Sequence, residues 1–528
     1  MKGVFLRVFE QRGRAVCILA CLSALALSAQ TSPSGGGATP PTRPAFLPSS
    51  GVSQPGAVIA EQAALPGSGV STISSTVQVT GDFAGSVPQP NVAEGAVTLS
   101  LADAVQRGIR ANLAALTSDD AVRTAGANRQ QELSGLLPNI SANVSETVSQ
   151  VNLAAYGFQF KTPPGFNFSI PSVVGPFSYF SATASLSQSV YDPVQRRNWH
   201  ASKDTQRAAV LSARDARELI VLAVGGTYLQ TLAAAANIVS QRAQVANAQA
   251  IYDQAVTRKA AGTNAKIDVM RSLVELQTQQ QRLTSLVADF RKQKIILARI
   301  TGIPLDRELI LSEPLRFEPS PIPSTDTLLN RAYAQRWDLR ASEAQVKAAE
   351  QILSAARAER WPSFSIDGDY GVLGSSAVSS HGVFAVTGSA SIPIWQGGRT
   401  GADIQQAQAT LDERRSELAD ARGRVEQDVR TALIELEAAE GQAKVAESNR
   451  SYANETLSEA RDRFNAGVAT TVEVVQAQEQ VASAESDYVS SLFSFNLARL
   501  TLARATGQAE KELPHLLQGE QPSEGKQP

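Results

Sequence analysis

The two longest proline-free stretches of this 528-residue chain are Val194 to Ile303 and Ile394 to Leu513, and that absence constrains the fold more than any other feature. Proline lacks a backbone donor and clashes with the preceding turn, so it is scarcely tolerated inside a helix. Alanine, glutamine, leucine and charged residues dominate both stretches, which therefore read as long helices. Between them the cluster Pro304, Pro314, Pro319, Pro321 and Pro323 reads as an irregular strap. Each stretch is interrupted once. KAAGTNAKIDVMR from Lys259 to Arg271 and FNAGVATTVEVVQ from Phe464 to Gln476 both place a helix-breaking glycine, Gly262 or Gly467, ahead of an acidic residue that opens a new helix. In the second, Thr470 and Glu473 have the spacing of a capping box. Both read as tips of helical hairpins.

The two halves share a register. Val269, Leu276, Leu283, Phe290 and Leu297 stand seven apart, and Val474, Val481, Tyr488, Phe495 and Leu502 repeat that spacing 205 residues later. Gly262 maps to Gly467, Asp268 to Glu473, and Thr301-Gly302 to Thr506-Gly507. An internal repeat with an apolar seventh position predicts paired antiparallel coiled coils. The helices from about Val194 to Ala260 and from Arg399 to Ala466 would each be about 100 Å long at about 1.5 Å per residue. Shorter helices are expected over Leu99 to Leu136, Lys266 to Ile300, Thr327 to Arg360 and Val472 to Thr506. Two short ones end to end match one long one, which suggests a barrel of helices. Gly225-Gly226 within the first long helix reads as a kink or a close-packing point.

Asn139 to Asn152, Tyr179 to Tyr191, Phe364 to Val372 and Val383 to Trp395 have a different texture, because apolar and small polar residues alternate strictly. Strands with one apolar and one small polar face match a transmembrane β-barrel, lipid outside and water inside. A soluble sandwich half buried in a core shares the alternation. Three details favour lipid. Tyr191, Trp361 and Trp395 stand at strand ends, where an interfacial aromatic belt is expected. The inward positions are small, and the two hairpin loops, about 153–178 and 373–382, differ in length as the external loops of barrels do. Asp367 and Asp369 fall on the lumen-facing side of the third strand. Four strands cannot close a barrel, so oligomerisation is implied, with two chains giving eight strands or three giving twelve.

Residues 1–29 have the form of a secretory signal peptide: Lys2, Arg7, Arg12 and Arg14, an apolar run from Ala15 to Leu27, then Ser28 and Ala29. Both cysteines, Cys17 and Cys21, lie within it, and the residues before Cys21 loosely resemble a lipobox. Without that segment the formal net charge moves from -2 to -5, which gives no electrostatic case for nucleic acid. Residues 30–97, rich in Pro, Gly, Ser, Thr and Ala, read as a flexible leader with room for a short strand around Ser75 to Val79. Residues 508–528 read as a flexible tail. The three histidines, His200, His381 and His515, are widely separated, and no catalytic, metal-ligating or phosphate-cradling pattern is seen. An enzyme, a cofactor and a metal site are not expected.

The paired LPN (Leu137 to Asn139) and WPS (Trp361 to Ser363) strand entries, the Trp395 to Arg399 junction WQGGR and the two glycine tips appear in an order that resembles the TolC-like outer-membrane efflux protein family. The resemblance runs from about Leu99 to Gly507, with a first efflux repeat over 98–303, a strap over 304–324 and a second repeat over 325–507. It implies a mainly α homotrimer: a twelve-stranded transmembrane β-barrel in the outer membrane of a Gram-negative-type cell, and a periplasmic helical barrel of long antiparallel coiled coils. Function would be that of a passive export duct in tripartite efflux or type I secretion, working with a periplasmic adaptor (membrane fusion) protein and an inner-membrane pump. The resemblance also implies a periplasmic gate at the second tip, where two acidic residues, an arginine and a tyrosine are expected. This chain has Glu473 and Gln476 at the acidic positions, Ala469 at the arginine position and Phe464 at the tyrosine position, so one acidic ring is kept and the polar tie is missing. Gly262, Thr263, Gly467 and Val468 become the tip residues that contact the adaptor. A periplasmic coiled-coil adaptor or scaffold without a pore is the alternative.

Overall fold

The structure is a computed structural model, and it describes residues 58–64, 73–89, 95–157, 171–262, 265–319 and 321–512. Residues 1–29, where a signal peptide is expected, with Cys17 and Cys21, and also His515 and Thr263, therefore lie outside the described residues. The chain divides into two compact units, one built from residues 135–192 and 361–393 and the other from the remaining described residues.

The first unit is one antiparallel sheet of four strands, β4 (Asn139–Asn152), β5 (Val173–Tyr191), β7 (Ser363–Gly374) and β8 (His381–Ser391), paired in that order. Period two sorts its faces. In register, Ser141, Ser185, Asp369 and Ala385 line one face, while Ile140, Leu186, Gly368 and Val386 line the other. The apolar face is open: Ile140 is 74% exposed, Phe384 80% and Tyr370 73%. Strand bounds differ from expectation at two places. β5 begins at Val173, which shortens the first loop, and β8 ends at Ser391, leaving Trp395 beyond any strand.

The second unit is helical. α1 (Leu101–Ala111) and α2 (Leu113–Ser134) lead in; α3 (Pro193–Ala260, 68 residues) and α4 (Lys266–Thr301) form the first hairpin. α5 (Thr325–Gln335) and α6 (Trp337–Ala358) lead into the second hairpin of α7 (Arg399–Asn465, 67 residues) and α8 (Thr471–Ala505), which α9 (Ala509–Glu512) closes. α3 contains a window apolar enough to cross a membrane, but 72% of that window is buried, and Ile220, Val221, Val224, Tyr228 and Leu229 form the centre of the main core instead.

Two expectations need correction here. The first is that the segments 99–136 and 327–360 are single helices. Each is broken once, at Asn112 and Arg336, without a proline or glycine at the break. Both residues take extended backbone, with ψ 138° and 126°. Buried Asn112 donates Nδ2–H to the Phe83 carbonyl at 2.7 Å and accepts from the Ala114 N–H at 2.9 Å, taking up groups that a helix break exposes. Arg336, whose side chain is 6% exposed, pairs with Asp338 and Asp428, each at 2.7 Å. Burial works against the charge of Asp338, but the hydrogen bond and charge of Arg336 outweigh it and lower its pKa. Beside this pair, Arg504 of α8 meets buried Asp215 of α3 at 2.6 Å. Burial raises the Asp215 carboxyl, and Arg504 opposes that rise.

The second correction concerns residues 30–97. Within that leader, β1 (Val58–Ala64) and β2 (Ile73–Val79) form an antiparallel hairpin, and Val58, Ala60, Val77 and Val79 pack against the main core. β3 (Val97–Leu99) pairs in parallel with β6 (Leu309–Leu311) of the strap. Part of the leader is thus ordered, because alternating valines supply an apolar face that a composition rich in small residues conceals. Gly226 is a close-packing point: a Cβ there would stand 2.7 Å from Val77 Cγ2. α3 runs unbroken through it.

Candidate functional site at the helical tips

At the second tip, α7 ends with the Ala466 N–H on the Asp462 carbonyl at 2.9 Å, the Gly467 N–H on the Phe464 carbonyl at 3.1 Å and the Val468 N–H on the Arg463 carbonyl at 3.0 Å. Gly467 has φ +77°, a left-handed conformation in which a side chain would be strained. Thr470 then caps α8. Its hydroxyl accepts from the Glu473 N–H at 3.4 Å, and the Glu473 carboxylate accepts from the Thr470 N–H at 3.4 Å, which completes the capping box. Arg463 reaches the same carboxylate at 3.7 Å. Glu473 is thereby engaged with its own hairpin. Gln476 is exposed beside it, Ala469 is half-buried against the tip core, and Val468 is 68% exposed.

The first tip repeats the turn with less. Gly262 has φ +78° and donates to the Lys259 carbonyl at 3.0 Å, but the residue before α4 is Ala265, which has no side chain to cap with. Asp268 pairs with Arg271 at 3.8 Å within its own helix.

The two hairpins meet at Phe464. Its ring is 5% exposed, in a cluster with Ile251, Leu457, Val474, Ala477 and Val481. The Arg258 guanidinium of α3 lies 4.1 Å from the ring centroid and donates Nη1–H to the Phe464 carbonyl at 3.3 Å. Gln254 of α3 donates to the Asn465 side-chain oxygen at 2.9 Å. The sequence places a ring at 464 and no polar tie on its own hairpin. Arg258, Gln254 and Asn465 supply a tie of different chemistry, a cation over an aromatic face with two hydrogen bonds. Sequence reasoning missed these three because a single arginine near a helix end reads as a helix-dipole partner, and its contact lies 206 residues away.

The tip residues and the sheet residues belong to different units. In the sheet, Asp367 accepts from Ser187 at 2.7 Å and Asp369 from Ser185 at 2.5 Å, all four on the polar face. Tyr191 and Phe364 stand with ring centroids 6.3 Å apart, and Trp361 is 60% exposed. Among the described residues, no group of three or more His, Cys, Asp and Glu could hold a metal ion.

Long paired helical hairpins with glycine tips, and a four-stranded antiparallel sheet that is apolar on one face, define the class of fold. Residues 328–508 match the model of the family described as outer membrane efflux protein. The chain is 23% identical over 352 residues to the outer membrane protein TolC of Vibrio cholerae, covering 63% of this chain and 77% of that one. It is 22% identical over 324 residues to the pyoverdine export outer membrane protein OpmQ of Pseudomonas putida, covering 58% of this chain and 66% of the relative. Among solved structures, the CmeC outer membrane channel of Campylobacter jejuni superposes with a TM-score of 0.68 at 15% identity, covering 86% of this chain and 95% of that one. The outer membrane protein VceC of Vibrio cholerae gives 0.63 at 18% identity, covering 77% and 96%. The chain is thus similar to outer membrane efflux proteins in sequence over residues 328–508 and shares the fold of solved outer membrane channels.

Proposed function

We propose that this chain is the outer-membrane channel of an efflux or type I secretion system, a passive homotrimeric duct that works with a periplasmic adaptor and an inner-membrane pump. The observation that carries this reading is the sheet. Its apolar face exposes Ile140, Val144, Val148, Tyr370, Phe384 and Val386, while the other face is small and polar. In water such a face is costly, and in lipid it is the stable arrangement. β4 and β8 are left as edges, so three copies would close twelve strands around a polar lumen. Asp367 and Asp369 would face that lumen, and Tyr191, Trp361 and Trp395 would lie near the membrane interfaces.

The gate of this proposal is the second tip, held by Arg258 across Phe464. Glu473 and Gln476 would border the opening, with Ala469 behind it, and Gly262, Gly467 and Val468 would present the tips to the adaptor. A pore-less adaptor would instead carry a compact β domain interrupting one hairpin; the described residues form two hairpins. Purified protein in planar bilayers is expected to give stable, low conductance. Arg258→Ala is expected to raise that conductance more than Glu473→Ala, since Glu473 is bound to its own hairpin. Absence of any conductance increment from folded protein would end the channel reading, and equal effects of the two substitutions would end the Arg258 gate.

A further inference from the structure

The described chain ends beside a groove. α9 begins with Ala509, fully buried in the main core, and its single turn is closed by the Lys511 and Glu512 N–H groups, both on the Gln508 carbonyl at 3.0 Å. Arg331 of α5 donates Nη1–H to the Gln508 side-chain oxygen at 3.1 Å, so α9 is fixed against α5. Glu512, where the described residues end, is one wall of a groove of about 230 Å³. Partial desolvation raises its carboxyl, and Arg331 and Arg499 oppose that rise.

The bottom of the groove is apolar. Leu328 of α5, Leu436 of α7 and Phe495 of α8 line it, all three buried, and the strap residues 321–323 pass over its rim. Ile322 is half-buried against the cluster that holds Leu436 and Phe495. Small-molecule sites usually enclose about 300–1,000 Å³, so a groove of this size suits one or two side chains better than a free ligand.

The residues that follow Glu512 have a matching chemistry. Leu513, Leu516 and Leu517 fall within five positions of it, whereas residues 518–528 are all Gln, Gly, Glu, Pro, Ser and Lys. Leucines gathered at one end of an otherwise polar segment are costly to leave in water. Pro514 disfavours helical backbone at Leu513, so α9 is not expected to continue beyond Glu512. Leu516 stands four residues past that wall, a span of at most about 14 Å at about 3.5 Å per residue.

We propose that the groove under the strap is the seat of residues 513–517 of the same chain, with Leu516 and Leu517 set against Leu436 and Phe495. The segment then latches the strap onto α7 and α8. An earlier part of the strap is already tied there, since Asn496 of α8 donates Nδ2–H to the Arg316 carbonyl at 3.0 Å and Phe317 meets Phe495. A tether of a few residues gives the chain's own leucines a high effective concentration at the groove, which favours them over any free competitor. The latch concerns a single chain and does not rest on the channel reading.

The test places Ile322→Cys in the full chain and follows maleimide labelling on the peptide that carries it, by mass spectrometry. Labelling is expected to be about tenfold slower than in a chain ending at Glu512, the change that seating about one leucine side chain gives. Leu516→Asp with Leu517→Asp should label as fast as the shortened chain, and Glu520→Ala with Glu524→Ala as slowly as the full one. Ile322→Cys paired with Leu516→Cys should form a disulfide within one chain about tenfold faster than Ile322→Cys paired with Ser523→Cys. Equal labelling with and without residues 513–528, or equal disulfide rates for the two pairs, would overturn the proposal. So would a disulfide that joins two copies, or capture of the Ile322→Cys thiol by a different polypeptide.

Discussion

α4 and α8 hold equivalent positions in the two halves of the sequence, 205 residues apart, yet they have different fates. α4 buries Leu276, Leu297, Ile300 and few others of its 36 residues, whereas α8 buries Val474, Val481, Phe495, Leu500 and many more of its 35. Their seventh-position patterns are alike, and both end in a threonine followed by a left-handed glycine, Gly302 at φ +71° and Gly507 at φ +73°. What differs is the neighbour. α8 has α3 on one side and α7 on the other, while α4 packs mainly on α3, with small contacts to α1 and α8. A seam pattern therefore specifies that a helix pairs, and its surroundings decide whether the remaining surface is core or edge.

Substitutions at matched positions can break or sharpen that contrast. The largest effect is expected at Arg504 and its counterpart Arg299. Arg504→Ala leaves buried Asp215 without its cation and should cost about 3–5 kcal/mol in urea unfolding at neutral pH. Arg299→Ala, at an exposed site, should stay within about 0.5 kcal/mol. Comparable losses would show that α4 is not an edge.

Next come the paired rings. Phe495 is 1% exposed and meets Phe317 edge-on with centroids 4.9 Å apart, so Phe495→Ala should cost about 3–5 kcal/mol. Half-buried Phe290, with Lys294 4.9 Å from its ring, should lose about 1 kcal/mol in the unassembled chain. A larger loss for Phe290 that appears only on assembly would support an occupied edge.

The caps give a smaller difference. Thr470→Ala should cost about 1 kcal/mol, and Ala265→Thr at the uncapped equivalent should recover part of that value in the first hairpin, both read by thermal unfolding.

The smallest effect concerns acidity. Burial raises the Glu218 carboxyl, and its Oε2 has no hydrogen-bond partner. An acid whose folded pKa lies above its unfolded value binds more protons in the fold, so its contribution to stability declines as pH rises through that interval. Glu218→Gln should therefore be less sensitive to pH there and should gain on the wild type toward neutral pH. A constant difference in melting temperature across pH would refute this.

How much the sequence revealed follows the range of the interactions. Helix extents, glycine turns and the Thr470 to Glu473 box are local, and the proline-free stretches and short spacings show them directly. Strand faces are equally local, since alternation alone fixes which side Asp367 and Ile366 take. The breaks at Asn112 and Arg336 are not legible, because neither residue breaks a helix by propensity and each is held by distant partners such as Phe83 and Asp428. Of the leader hairpin only a short strand around Ser75 to Val79 is legible, because the valines of its partner are diluted among small residues. The Arg258 contact with Phe464 joins two helices that local periodicity treats independently.

The fit of Val77 over Gly226 couples two positions that are far apart in the chain. A methyl group at 226 has no room while valine stands at 77, since the gap of 2.7 Å is too short for carbon against carbon. The pair should therefore be epistatic: Gly226→Ala alone is penalised, and Val77→Ala relieves part of the penalty. Among related sequences such a coupling would make the residue opposite 226 a marker of whether this segment still lies over the long helix.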